Sequence, residues 1–139
     1  MAGLFLEILT PSKLAYSGNI KSVSVPGARG SFQILFNHAP IISTLDIGTI
    51  KIEIEDKLIK YFATSGGTIE VLNNKIRILT DALEAVEDID LDRAKNALDR
   101  AQNRLANKDS EKVNITRAEA ALARASNRIK IVEKYSVMQ

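Results

Sequence analysis

The sequence contains no cysteine and no tryptophan, and it carries one histidine, His38, among 139 residues. Without cysteine there can be no disulfide, no thiolate nucleophile and no cysteine-ligated zinc. A lone histidine argues against a histidine-rich metal site and against a Ser-His-Asp triad. No apolar run approaches the ~18 residues of a membrane-spanning helix. Neither a signal peptide nor an arginine- and serine-rich transit peptide opens the chain, so a cytosolic or cytosol-facing protein is expected. Glycine and proline are scarce in a directed way: all 7 glycines and all 3 prolines lie at or before Gly67.

What is present divides the same way. Hydrophobic content of 45% and charged content of 26% are ordinary for one globular domain or two small ones. The net charge of +2 hides an asymmetry, because residues 1–88 hold 8 Lys/Arg against 10 Asp/Glu and residues 89–139 hold 11 against 7. The boundary between the two regions lies near Asp88.

The basic region contains one pattern twice. Arg93 to Arg104 reads RAKNALDRAQNR and Arg117 to Arg128 reads RAEAALARASNR, identical at 8 of 12 positions with an offset of 24. Leu91, Ala94, Leu98, Ala101 and Leu105 step by three and four residues, as do Ile115, Ala118, Leu122, Ala125, Ile129 and Val132. That spacing makes an apolar helix stripe that packs on a partner. A short polar link, 107–114, joins the two helices into an antiparallel hairpin. Asp90 is the expected N-cap of the first helix, Asn107 its stop, and Ser110 or Asn114 the next cap. Beyond Lys134 the periodicity ends and the tail is expected to fray.

On each helix the arginines fall within about a 40° strip. Arg93, Arg100 and Arg104 form one strip and Arg117, Arg124 and Arg128 the other, both flanking the seam on its d side. An antiparallel pair brings these flanks together, so the guanidinium groups share a face that repels itself unless something anionic covers it. A solvated basic face, a polyanion pocket and an acidic protein partner are the three readings of that face. Arginine suits either of the last two, since its planar fork binds phosphate or carboxylate bidentately. The seam alternates large residues with alanine, so the hairpin is expected to be marginally stable. A polyanion at 100 times its dissociation constant would add about 2.7 kcal/mol to the closed form, enough to move a balanced equilibrium.

The first region reads as short strands at 4–9, 13–17, 20–25, 30–35, 41–45, 49–55, 57–63, 68–72 and 75–80. Turns are expected at Pro11-Ser12, Ser17-Gly18-Asn19, Pro26-Gly27, 46–48, Asp56-Lys57 and Asn73-Asn74. Strands so closely spaced, with no helix between them, indicate an antiparallel sandwich or barrel. Phe32, Ile34, Leu35 and Phe36 are more apolar than one buried face requires. They form either a docking patch or a strand buried on both faces that runs into the Asn37-His38-Ala39-Pro40 turn. His38 alone reads more readily as a structural residue than as a ligand. Ser65-Gly66-Gly67 lacks the following Lys-Ser/Thr and helix of a phosphate loop and reads as a bend.

Taken together, these features resemble the epsilon-subunit family of bacterial F-type ATP synthases over nearly the whole chain. The family's G-x-x-G-I-x-P-x-H-A-P stretch is matched by Gly30, Ile34, His38, Ala39 and Pro40, with Gln33 in place of Gly and Phe36 in place of Pro. Its S-G-G-x-x-E-V stretch is matched by Ser65, Gly66, Gly67, Glu70 and Val71. The resemblance implies an N-terminal antiparallel β-sandwich of about ten strands, residues 1–86, and a C-terminal antiparallel two-helix hairpin, residues 87–139. It also implies a non-catalytic stalk subunit in which the sandwich binds the gamma subunit and the c-ring. Ser31, Phe32, Phe36, His38, Ala39, Pro40, Ile41 and Ile42 would carry the rotor contact. The family's ATP-binding signature is similar to Ile89, Asp90, Arg93 and Ala94, with Arg100, Arg124 and Arg128 as further contacts and Glu84 as an acidic helper. ATP, alone or with Mg2+, would be a regulatory ligand that folds the hairpin down. Extended, the hairpin would meet the α/β head through Arg117, Arg124, Arg128 and Lys130 and block hydrolysis. Such a protein would sit peripherally at the cytoplasmic face of the bacterial plasma membrane.

Two other classes compete with this reading. A small nucleic-acid binder would use the basic hairpin, but Tyr135 is the only aromatic of the tail and the charge excess is slight. A nucleotide-processing enzyme lacks both a phosphate loop and a metal-ligand cluster in the sequence. No residue stands out for general-base or nucleophile work, so ATP would be sensed and not hydrolysed.

Overall fold

In a computed structural model, residues 3–107 and 114–135 are described. The chain divides into two compact units, Met1–Ala85 and Val86–Gln139.

The first unit is a sandwich of two five-stranded sheets. Its strands are β1 (Leu4–Leu9), β2 (Leu14–Ile20), β3 (Ser22–Val25), β4 (Phe32–Ile34) and β5 (Ile41–Leu45), then β6 (Gly48–Glu55), β7 (Leu58–Thr64), β8 (Gly67–Leu72), β9 (Lys75–Thr80) and β10 (Leu83–Ala85). One sheet has the order β2-β1-β9-β8-β5 and the other β10-β7-β6-β3-β4. Strict alternation builds the layer between them. Leu4, Leu6 and Ile8 of β1, Ile76 and Ile78 of β9, and Ile69 and Val71 of β8 are buried from one sheet. Val23, Val25, Ile34, Ile50 and Ile52 are buried from the other. The register places these residues flush, with Leu6 beside Ile76, Ile76 beside Val71, and Val23 between Ile34 and Ile52. Each fully buried side chain of this kind contributes roughly 1.5–3 kcal/mol. Tyr16 and Phe62 add an edge-to-face ring contact with centroids 6.4 Å apart.

The expected sandwich of about ten mostly antiparallel strands is present, with local differences from the sequence reading. The sheets are not wholly antiparallel, because β1 and β9 run parallel from Phe5↔Lys75 to Leu9↔Leu79. Ser17-Gly18-Asn19 is not a turn: all three residues lie in β2 and pair with Glu7, Leu6 and Phe5. The chain changes direction at Lys21, whose N–H donates to Glu53 O at 2.7 Å. A tenth strand, β10, pairs with β7 through Leu83↔Thr64 to Ala85↔Phe62 and is too short to show alternation. Asn73-Asn74 does form the expected two-residue hairpin, with φ of 50° and 63° at the two residues.

Ser65-Gly66-Gly67 is where the chain passes from one sheet to the other. Thr64 Oγ1 and Thr80 Oγ1 lie 2.9 Å apart in the interior, Ala82 N–H donates to Ser65 Oγ at 3.0 Å, and Gly66 N–H donates to Thr64 Oγ1 at 3.3 Å. These hydroxyls satisfy polar groups that the ladders cannot reach. Gly67 has a φ of +149°, and a Cβ there would stand 1.9 Å from the Leu79 carbonyl oxygen. Only glycine fits.

The second unit opens with a 3-10 turn, Val86–Asp88, followed by α1 (Leu91–Ala106) and α2 (Ile115–Tyr135). Asp90 caps α1, accepting from Arg93 N–H at 3.1 Å. Asn107 closes it, its N–H donating to Asn103 O at 3.1 Å. Asn114 caps α2, accepting from Arg117 N–H at 3.0 Å. Ser110, the alternative cap, lies outside the described residues, as does the tail after Tyr135. The helices pack on each other through the expected seam. Only its alanines, Ala94, Ala101, Ala118 and Ala125, are fully buried, while Leu91, Leu98, Leu105, Leu122, Ile129 and Val132 are half-buried and Ile115 is exposed.

Gly67→Ala is expected to lower the unfolding free energy by at least about 2 kcal/mol through steric clash and positive-φ strain, seen as a lower urea midpoint with unchanged slope. A chain ending at Asp88 is expected to unfold cooperatively and to keep its strand circular dichroism. Loss of cooperativity would refute the autonomy of the sandwich.

Candidate functional site

Two surfaces collect the residues singled out above. The first is the connection between β4 and β5, where the chain crosses from one sheet to the other. Leu35, Phe36, Asn37 and His38 form a turn closed by His38 N–H donating to Leu35 O at 3.1 Å. Asn37 takes its third position with a φ of 66°, as a turn of type II geometry requires. Its first two residues are exposed. Leu35 is 53% exposed, Phe36 48%, and Ile42 on the edge strand β5 78%. This excludes a strand buried on both faces, since Leu35 and Phe36 lie beyond the end of β4 and are exposed. Ser31, Ala39 and Pro40 are exposed as well, whereas Phe32, His38 and Ile41 are half-buried. Phe32 and Ile41 lean on the core, and the Phe32 ring lies so close over Gly27 that a Cβ there would meet it at 2.6 Å. The His38 ring is satisfied locally, with Nδ1 donating to the Ala39 carbonyl at 2.7 Å.

The second surface belongs to the hairpin unit. Asp90 is an exposed cap, Ile89 is half-buried with its N–H on Val86 O at 3.3 Å, and Arg93, Arg100, Arg117, Arg124 and Lys130 are exposed. Arg128 is half-buried. Ala94 is buried in the seam, where its small side chain lets the helices approach. Glu84 lies on β10, paired with Ala63, and so belongs to the sandwich unit. The alanine seam fixes which face of each helix is inward, and helical geometry then places both arginine strips about 100° from it. One feature of α2 escaped the sequence reading. Ile131, one heptad beyond Arg124, is only 1% exposed, so the strip turns apolar toward the C-terminal end of the helix. α2 also packs on the 3-10 turn that carries buried Val86. The signal was present as the apolar cluster Ile129, Ile131 and Val132, but a two-helix seam offers Ile131 no place.

The chain matches the ATP synthase delta/epsilon chain beta-sandwich domain over residues 3–86 and the long alpha-helix domain of the same chain over residues 87–133. It is 44% identical over 128 residues to the ATP synthase epsilon chain of Desulforamulus reducens, covering 92% of this chain and 96% of that one. To the epsilon chain of Desulfatibacillum aliphaticivorans it is 40% identical over 111 residues, 79% of each. It belongs to the epsilon-chain family of bacterial F-type ATP synthases. The fold is also that of a chain in the mitochondrial ATP synthase OSCP/F1/c-ring structure of Euglena gracilis, with a TM-score of 0.80 at 19% identity, over 99% of this chain and 82% of that one.

As an epsilon chain it is a non-catalytic stalk subunit. The two departures from the family's sandwich motif can now be placed. Gln33 sits in extended β4 opposite Ser24, where any residue serves. Phe36 sits at the second position of the turn, where proline would have fixed φ.

The capping role of Asp90 is open to a direct test. Asp90→Asn keeps an acceptor for Arg93 N–H, whereas Asp90→Ala removes it and is expected to cost about 1 kcal/mol of hairpin stability, read from helical circular dichroism on heating. Equal loss in both variants would show that the carboxylate charge, and not the cap, is what the helix needs.

Proposed function

We propose that this epsilon chain transmits c-ring rotation to the catalytic head through its sandwich, and that its hairpin senses ATP and restrains hydrolysis. The sandwich contributes the rotor contact at the β4–β5 crossing, with Ser31, Phe36, Ala39, Pro40 and Ile42 as outward residues and Phe32, His38 and Ile41 as their support. Gamma and the c-ring are the partners on that side. The structures of similar fold come from an OSCP/F1/c-ring assembly and a central stalk/c-ring assembly, which favours this assignment. The stalk role places the subunit peripherally at the cytoplasmic face; no described helix is long and apolar enough to cross a membrane.

For the hairpin, the carrying observation is the alanine seam flanked by a duplicated arginine strip. Four fully buried alanines hold two helices together with little apolar area, so the closed state is easily biased. Arg93, Arg100, Arg124 and Arg128 supply charge and bidentate donors for a triphosphate. Asp90 caps α1 and accepts a hydrogen bond from the base. With the nucleotide gone, the same side chains repel one another, and the hairpin opens. Arg117, Arg124, Arg128 and Lys130 are then available to acidic segments of the α/β head. ATP is therefore a regulatory ligand, with or without Mg2+, and nucleic acid is not a partner.

Calorimetric titration with MgATP is expected to give one site, weakened at least tenfold in Arg93→Ala and in Arg124→Ala. Unchanged binding in both variants would reject the hairpin site and leave the rotor role standing.

A further inference from the structure

The turn that presents Phe36 is held by a clasp to a different part of the sandwich. Asn37 N–H donates to Asn74 Oδ1 at 2.6 Å, and Asn74 Nδ2 donates back to Asn37 Oδ1 at 3.0 Å, across a sequence separation of 37. Both asparagines have left-handed backbones, with φ of 66° and 63°, a conformation that asparagine tolerates better than most residues with a side chain. The two halves of the clasp are not equivalent. Asn74 sits in the two-residue β8–β9 hairpin, and its carbonyl accepts from Phe5 N–H of β1 at 2.9 Å, so it is fixed within a sheet. Asn37 sits in a turn with one internal hydrogen bond. Asn74 is the anchor and the turn is what it holds.

The turn needs holding because of the residue at its second position. Proline, which the family usually has there, fixes φ and preorganises the turn without side-chain help. Phe36 does not restrict the backbone, but it adds an exposed ring beside exposed Leu35. An exposed amide–amide hydrogen bond competes with water and adds little to global stability. Its effect is to select one conformation of the turn, which lowers the ordering cost when a partner binds.

We infer that Asn74 and Asn37 are positioning residues for docking: their reciprocal clasp replaces the missing proline and presents Phe36 as a preformed apolar anchor to the rotor. The inference rests on the reading of the β4–β5 turn as a rotor contact. Asn74→Gly tolerates the left-handed backbone and removes both hydrogen bonds. The full chain with this change is expected to bind the gamma–c-ring assembly about fivefold more weakly or worse, with an unchanged urea midpoint and loss of amide-exchange protection at Asn37. Asn37→Gly keeps the backbone N–H bond, so its loss of affinity should be smaller and should add nothing to Asn74→Gly. Phe36→Ala tests the contact itself. If Phe36→Ala weakens binding while Asn74→Gly stays within twofold of the parent chain, the clasp is overturned and the turn remains a contact. Additive losses from the two asparagine variants would also overturn it. If neither Phe36→Ala nor Asn74→Gly changes affinity, the rotor reading fails and the inference falls with it.

Discussion

The sandwich depends on a single shared layer of isoleucine, leucine and valine between two sheets, and that layer dictates where everything else can be. Successive strands often belong to opposite sheets, so the chain must repeatedly step across the layer. A crossing segment has no ladder to satisfy its backbone and no face to bury. At 64–67 the problem is solved by threonine and serine hydroxyls and by glycines that no side chain could replace. At 35–40 it is solved by a tight turn whose apolar residues are left outside. The exposed patch is thus a consequence of topology as much as of composition.

The hairpin obeys a looser constraint. Its helices meet through alanines, which allow close approach but remove little apolar surface from water. Stability then rests on caps and on the balance of charge along the flanks. Asp90 and Asn114 supply the caps. The arginine strips supply an unfavourable term that a bound anion, as proposed, would convert to a favourable one. Under the proposed function, an element built this way would respond to a ligand because its packing is weak, whereas the sandwich, with side chains such as Leu6, Ile52 and Ile78 wholly enclosed, would not.

How much of this was legible in the sequence varies with the range of the signal. The helices, their caps and the Asn73-Asn74 hairpin were legible because each is settled within a few residues. Most strands were legible from alternation. Ser17-Gly18-Asn19 misled because its turn chemistry is overridden by pairing with β1, a tertiary effect. The parallel contact of β1 with β9 and the three-residue β10 were not legible, since neither leaves a local pattern. At the candidate sites, the arginine strips followed from helical spacing, and the outward position of Leu35 and Phe36 was one of two open alternatives. The burial of Ile131 and the joining of Asn37 to Asn74 depend on segments brought together by the fold.

That difference bears on how sequence departures are read. Phe36 in place of proline looks like a loss when the motif is read along the chain, because a rigid turn residue has gone. Set in the fold, the same turn carries a left-handed asparagine that a second left-handed asparagine, 37 residues away, grips from the neighbouring hairpin. Rigidity encoded covalently by a ring at one position can instead be encoded non-covalently by two amides, and the freed position can take a larger apolar side chain. The two encodings differ physically: the ring restricts the turn in every state of the chain, whereas the clasp restricts it only once the sheets have assembled.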